Sequence, residues 1–249
     1  MQASNQMSIQ VESRTDKGLV RTINEDCIAT LPEQGLVVLA DGMGGYSAGE
    51  VASQLAVETI SSHLLPYAAP DAAAIVTAVE QANSAIISAI KNKAEYEGMA
   101  TTVALAHFGQ KTACFAHVGD SRIYRFRDGR ITQLTVDHSM VQELVNQGMF
   151  ANIQEAMDAG VKKNVLIRGV GIDNQVEVAI LEQELQNGDL YLFCSDGLSD
   201  MVSDEEIGLV MQDTSVGMSG MADRLLDLAL QHGGKDNVSV ILVAIDSRK

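Results

Sequence analysis

Apolar and polar positions change rhythm several times along the 249 residues, and each change marks an element. Ser8 to Ser13 alternates, as a half-buried strand does. Cys27 to Leu31 is a short apolar strand, and Pro32-Glu33-Gln34-Gly35 turns the chain into Leu36-Val37-Val38-Leu39-Ala40. That uninterrupted apolar run suits a strand covered on both faces. It ends on Asp41, and Gly42-Met43-Gly44-Gly45 follows at once. Taken alone, the Asp-Gly pair also suits a plain tight turn. The period then lengthens. Ser47 and Glu50 fit a capping box, and Ala52, Leu55, Ala56, Ile60 and Leu64 share one helical face. Pro66 to Pro70 breaks this helix. Asp71 caps a second one, with Ile75, Val79, Ala82, Ile86 and Ile90 on one face.

From Ala100 the strand period returns. Thr102–Phe108, Thr112–Val118 and Arg122–Arg127 form a meander with turns at Gly119-Asp120-Ser121 and Asp128-Gly129. Asp137-His138-Ser139 opens a polar, helical-looking insertion, expected to be a surface flap over about 139–165. Gln175–Glu182 and Asp189–Cys194 are strands again. The second contains the apolar run Leu190 to Cys194 and ends at Ser195-Asp196-Gly197. Helices follow near Asp204–Gln212 and Gly217–His232, and Gly233-Gly234 stops the second. Lys235-Asp236-Asn237 leads into the almost wholly apolar Val238–Ile245. No linker and no repeat divides the chain, so residues 1–249 are expected to be one domain. Each helix pair needs an apolar surface to cover, which makes the expected fold α+β: two antiparallel sheets packed face to face, with helices on both outer sides.

Composition narrows the function. With 46% apolar and 20% charged residues the chain has an ordinary globular composition. A net charge of −16 argues against nucleic acid, whose phosphates need a basic patch; a soluble surface explains most of it, and such an excess can also mean carboxylates gathered around cations. Cys27, Cys114 and Cys194 lie far apart in no CxxC spacing, as small core residues of a reducing compartment do. Met1 to Gln10 lacks the marks of a signal peptide, and no apolar run nears the ~20 residues that span a bilayer. The expected location is the cytoplasm.

The carboxylates carry the chemistry. Asp41, Asp196 and Asp236 each stand at the boundary of a buried strand beside Gly or Asn, and Glu25, Asp26 and Asp120 occupy similar edges. If these edges meet at one rim, their like charges call for cations. Oxygen donors without His or Cys suit Mg²⁺ or Mn²⁺. Two such ions would make a bound water nucleophilic near neutral pH and clamp a phosphate, and Arg21 offers a fork for its oxygens. Other chemistries find little support. Ser47 and Asn174 stand where dinucleotide fingerprints need a third glycine, no GK[ST] occurs, and Ser195 lies in no GxSxG. The histidines show no HExxH spacing, and only His138 stays in view as a candidate acid.

Read together, these motifs resemble the metal-dependent Ser/Thr protein phosphatases of the PP2C (PPM) family, in the compact bacterial form. The resemblance rests on Arg21 with Asn24-Glu25-Asp26, Asp41-Gly42-Met43-Gly44-Gly45, Ala100-Thr101-Thr102, Val118-Gly119-Asp120-Ser121-Arg122, Asp137-His138-Ser139, Ser195-Asp196-Gly197 and Gly234-Lys235-Asp236-Asn237. It implies a four-layer α-β-β-α sandwich with two Mn²⁺ or Mg²⁺ ions at one end. Asp41 would bridge both ions and the Gly42 carbonyl would bind one. Asp196 and Asp236 would complete the shell of the first ion, Glu25 would reach the second through water or directly, and Asp26 would hold water on the metals. Arg21 would bind the substrate phosphate, Asp120 with Asp196 would hold a third, weaker ion, and Asn237 would orient a loop or a ligand. The implied partners are phosphoserine and phosphothreonine proteins, among them a Ser/Thr kinase, and the implied state is a monomer. Two departures stand out: Met43 replaces the His that many eukaryotic members offer as general acid, and Ala100 replaces a usual glycine. A catalytically dead binding module and a phosphatase of small metabolites are the alternative readings.

Overall fold

Strands that are apolar on every residue need cover on both faces, and the fold supplies it. The structure, a computed structural model, describes residues 7–44, 48–163 and 165–247. In chain order the elements are β1 (Met7–Asp16), β2 (Asp26–Leu31), β3 (Leu36–Met43), α1 (Ala48–Leu64), α2 (Ala72–Asn92), β4 (Ala100–Thr101), β5 (Val103–Phe108), β6 (Thr112–Val118), β7 (Arg122–Arg127) and β8 (Arg130–Gln133). Then come α3 (Met140–Asn146), α4 (Ile153–Asp158), β9 (Ala179–Glu184), β10 (Leu190–Cys194), α5 (Asp196–Ser199), α6 (Asp204–Gln212), α7 (Gly217–Gln231) and β11 (Val238–Ser247). One sheet runs β1-β11-β10-β7-β8, and the other runs β2-β3-β5-β6-β9 with β4 paired to β3. The ladders pair antiparallel throughout.

Side-chain alternation along each central strand explains the layers. In β3, Val37 and Leu39 enter the layer between the sheets, where Phe108 and Phe115 meet Tyr191, Phe193, Ile241 and Val243. Val38 and Ala40 point the other way and pack under α1 and α2 with Ala56, Ile60, Ile75 and Val79. In β10 and β11, Leu192, Cys194, Val240 and Leu242 pack under α6 and α7 with Ile207, Leu225 and Ala229. The result is the α-β-β-α sandwich expected from the sequence.

Several boundaries differ from expectation. The predicted strand Gln175–Glu182 begins later, because β9 pairs residue for residue with β6 from Ala179 opposite His117 to Glu184 opposite Thr112. The Asp128-Gly129 turn, expected from the sequence, closes a hairpin onto a short edge strand, β8, whose extent the sequence reading does not include; Asp128 takes φ 52° in the turn. Nor does that reading have the short helix α5, which starts on Asp196 itself. The capping box at Ser47 lies outside the described residues. The insertion folds as α3 and α4, which bury Val141 and Ala156. Contrary to the expectation of no such stretch, α2 is long and apolar enough to cross a membrane by length and composition. Here its Ile75, Val79, Ala82 and Ile86 are buried under the sheet while Glu80, Gln81 and Ser84 face outward.

The pairing registers also gather the strand ends. The end of β1 lies beside the start of β11, and the end of β10 beside Val240 of that strand. Asp26, which opens β2, lies opposite Asp41 near the end of β3. One rim of the sandwich therefore collects the segments that carry the conspicuous carboxylates.

Candidate metal centre

Asp41 is held by its backbone, which leaves its carboxylate to other work. Its N–H donates to Thr102 Oγ1 at 3.0 Å, and its carbonyl accepts from Thr102 N at 2.9 Å and Thr101 Oγ1 at 2.8 Å. The next residue must be glycine. A Cβ on Gly42 would come within 2.0 Å of the Gly49 carbonyl oxygen and 2.7 Å of the Glu25 carbonyl oxygen. The start of α1 and the Glu25 segment close on the strand end through that gap, and the Gly42 N–H donates to Glu25 O at 3.1 Å.

The loop between β1 and β2 is pinned by one buried amide. Asn237 Oδ1 accepts from Glu25 N at 2.8 Å, while its Nδ2 donates to Lys17 O at 3.0 Å and Ile23 O at 2.9 Å. With its side-chain groups engaged by backbone, Asn237 orients the loop. Gly18, at φ 74°, lets that loop pass against the Asp236 carbonyl, which a Cβ would meet at 2.2 Å. The loop presents Arg21, whose Nη2 donates to Asp236 Oδ2 at 2.6 Å and whose Nη1 lies 3.9 Å from Glu25 Oε2. The Arg21 side chain is 47% exposed, so the rest of its fork remains open to solvent.

Glu25, Asp41, Asp120, Asp196 and Asp236 line one cavity of about 270 Å³ together with Arg21. Burial and like charge raise their proton affinity. Asp41 is pushed well above the usual carboxylate range by burial, then by Asp26, Asp196, Asp120 and Asp236. Asp196 is pushed well up by burial, then by Asp120, Asp200 and Asp236. Asp120 rises to about 6 through burial and the nearby Asp137. Glu25 is raised by burial against the opposing pull of Arg21. Asp26 stands behind Asp41 and does not line the cavity. Burial carries it to about 6 despite hydrogen bonds from Ser239 and Ser195, the latter at 2.8 Å to Oδ2. Its Oδ1 is buried with no partner.

These features fit hard cations. The donors are carboxylate and carbonyl oxygens, and the repulsion among them is uncompensated by the single Arg21. Among the described residues no three acidic, histidine or cysteine side chains already close on one point as a finished shell. They share a cavity and a field, as like charges held by separate strand ends do.

Some residues play parts the sequence reading did not separate out. Thr101 and Thr102 clamp Asp41, and Ser195 and Ser239 support Asp26. The Thr pair was visible as a motif, whereas Ser239 inside an apolar strand gave only the weak signal of a hydroxyl among Val and Ile. Met43 lines the cavity mouth near Gly169, where a Cβ would lie 3.0 Å from Met43 Cε. His138 does not line this cavity. Its Nδ1 accepts from Gly119 N at 3.1 Å, its ring stacks on His117 at 4.6 Å, and burial holds its pKa down at about 4.

Residues 19–237 match the family model described as Protein phosphatase 2C. The chain is 39% identical over 238 residues to the serine/threonine protein phosphatase PstP of Mycobacterium tuberculosis, covering 95% of this chain. It spans only 45% of that relative's length. Against the serine/threonine phosphatase stp of Listeria monocytogenes it is 35% identical over 251 residues, covering 96% of both chains. The crystal structure of the Mycobacterium tuberculosis phosphatase PstP/Ppp superposes with a TM-score of 0.88 at 38% identity, covering 96% of this chain and 99% of the other. A second structure, the catalytic domain of PstP in complex with 2 manganese ions, superposes at 0.87 with 38% identity, covering 97% of this chain and 100% of the other.

Proposed function

The chain belongs to the protein phosphatase 2C family, and from that premise we propose that it is a metal-dependent phosphatase of phosphoserine and phosphothreonine in proteins. The observation that carries this reading is the single cavity in which Glu25, Asp41, Asp120, Asp196 and Asp236 face one another with Arg21 at the edge. Asp41, Asp196, Asp236, the Gly42 carbonyl and Glu25 would hold two hard divalent cations, Mn²⁺ or Mg²⁺. Two manganese ions in the PstP structure support the number and the metal. Asp120 with Asp196 would hold a third ion more weakly. Bound there, the ions supply Lewis-acid polarisation of the phosphoryl group and a nucleophile at neutral pH.

The chain's own residues do the rest. Arg21 draws the dianionic phosphate to the cavity and orients it through its planar fork, exchanging part of its pairing with Asp236 for phosphate oxygens. Asn237 keeps that guanidinium in place by fixing the loop on either side of it. Asp26 sits behind the cavity as a proton-accepting oxygen whose position is set by Ser195. Met43 offers no proton to the leaving alkoxide, and no histidine stands among the described cavity-lining residues.

The proposed substrates are phosphoproteins, among them a Ser/Thr kinase. The proposed setting is the cytoplasm, which three free cysteines support, and the proposed state is a monomer. A panel of phosphopeptides and phosphorylated metabolites, assayed with Mn²⁺ beside an aryl phosphate, tests the reading. Hydrolysis of the peptides well above the metabolites is expected. A preference for metabolites would make the protein a small-molecule phosphatase, and no turnover of any substrate would make it a binding module.

A further inference from the structure

Beside the catalytic cavity lies a second, narrow one. Asp120 and Asp196 line both, while Asp137, Asp200, Arg122 and Lys163 line only the second. Its free space is about 10 Å³, room for one water-sized body. The charges divide unevenly. Arg122 and Asp137 cancel each other in a buried fork, Nε to Oδ1 at 3.0 Å and Nη2 to Oδ2 at 2.7 Å. Asp120, Asp196 and Asp200 then face one cation, the Lys163 ammonium, which donates to Asp200 Oδ1. Asp200 acts electrostatically on both Asp120 and Asp196, so the three carboxylates share one field.

Lys163 reaches this field from the insertion. Among the described residues, and apart from the Ser139 hydroxyl that caps the start of α3, its bond to Asp200 is the one side-chain hydrogen bond or ion pair that joins 140–163 to the rest of the chain. Both partners are about a third exposed, at 30% and 32%, so the pair is screened and can exchange. A divalent ion brings twice the charge to the same carboxylates, and two cations cannot share so small a space without strong repulsion.

We propose that Lys163 is a tethered cation standing in for a third divalent ion. Arrival of that ion between Asp120 and Asp196 displaces the ammonium from Asp200 and releases the flap that carries it. Ion occupancy and flap position are thereby coupled through one side chain. The proposal rests on the metal-dependent reading above and adds the competition and its mechanical consequence.

Mn²⁺ binding followed by electron paramagnetic resonance, on the wild type, Lys163→Met and Lys163→Arg, separates the two. Two tighter ions in the wild type uphold the metal centre, and their absence would overturn that reading together with this one. With those two bound, Lys163→Met should bind the third ion roughly two- to fivefold more tightly, the effect of a modest partly screened charge interaction. Lys163→Arg should stay near the wild type. An unchanged third affinity in Lys163→Met overturns the competition. Amide exchange over 140–163 tests the release without reference to activity. In metal-free protein Lys163→Met should exchange faster than the wild type, and adding the third ion should raise exchange in the wild type alone. Equal exchange in both metal-free proteins would show that Lys163 tethers nothing.

Discussion

At the scale of single residues, the proposed function turns on carboxylates that raise one another's proton affinity. Asp41 illustrates this: its backbone is clamped by Thr101 and Thr102 while its side chain is pushed toward protonation by burial and by four other Asp residues. Asp41→Asn should therefore abolish phosphatase activity and leave the metal-free melting temperature equal or higher, because it removes a ligand and a source of repulsion together. Circular dichroism melts beside turnover at saturating Mn²⁺ check this. Position 43 gives a second expectation. A thioether cannot protonate a leaving group, and a positioned general acid contributes roughly 10²–10⁴-fold. Met43→His should raise kcat on a phosphothreonine peptide more than on an aryl phosphate, whose phenolate needs no proton. Equal changes on both substrates would exclude position 43 from proton transfer. His138→Ala should not selectively slow the peptide, since His138 is bonded to Gly119 and stacked on His117 away from the cavity. The acidic residues themselves were legible in the sequence, because each stands at or beside the start or end of a strand. Their supports were less so: nothing in the pattern of apolar residues tells that Ser239 holds a carboxylate at the start of a distant strand.

At the scale of elements, the site depends on a loop that owes its shape to one amide. Asn237→Ala would strand Glu25 N, Lys17 O and Ile23 O without their partner. A stability loss of about 1–3 kcal/mol is expected, with faster amide exchange over residues 17–25 and a raised KM for phosphopeptide as Arg21 loses its position. Denaturant unfolding and exchange measurements check both, and unchanged exchange in that loop would contradict the clamp. The central strands were legible because double-sided burial writes itself as unbroken apolar runs, as in Leu36–Ala40 and Leu190–Cys194. Edges were not. The start of β9 is set by the length of its partner β6, and β8 by a two-residue turn, so neither boundary is a property of its own sequence. The short helix at Asp196 follows so closely on β10 that no periodicity could announce it.

At the scale of the whole molecule, antiparallel pairing brings sequence-distant strand ends to one rim, and five carboxylates there face a single arginine, a local field that calls for cations. The rim could be anticipated only as a condition, because register is a property of pairs of strands. The field should appear in the pH dependence of stability. Asp26 and Asp120 have folded pKa values raised to about 6, above the ordinary carboxylate value. Between roughly pH 4 and 6 the unfolded chain gives up these protons while the fold keeps them, so stability falls as pH rises through that window and the loss is complete above it. His107, His117 and His138, whose pKa values burial lowers, act in the opposite sense as pH falls below their unfolded value. The clean observable is therefore a difference. Metal-free Asp120→Asn should lose less melting temperature than the wild type between pH 4.5 and 7, by the scale of that window. Added Mn²⁺ should stabilise the wild type more at pH 7 than at pH 5.

The most direct test of the account is turnover of a phosphothreonine peptide as Mn²⁺ is returned to metal-stripped protein, in the wild type, Asp41→Asn and Asp236→Asn. Activity in the wild type should be absent without metal and rise as the second ion binds, and neither variant should recover it at any Mn²⁺ concentration. Metal-independent turnover, or normal turnover in either variant, would contradict the assignment of the carboxylate cavity as the catalytic centre.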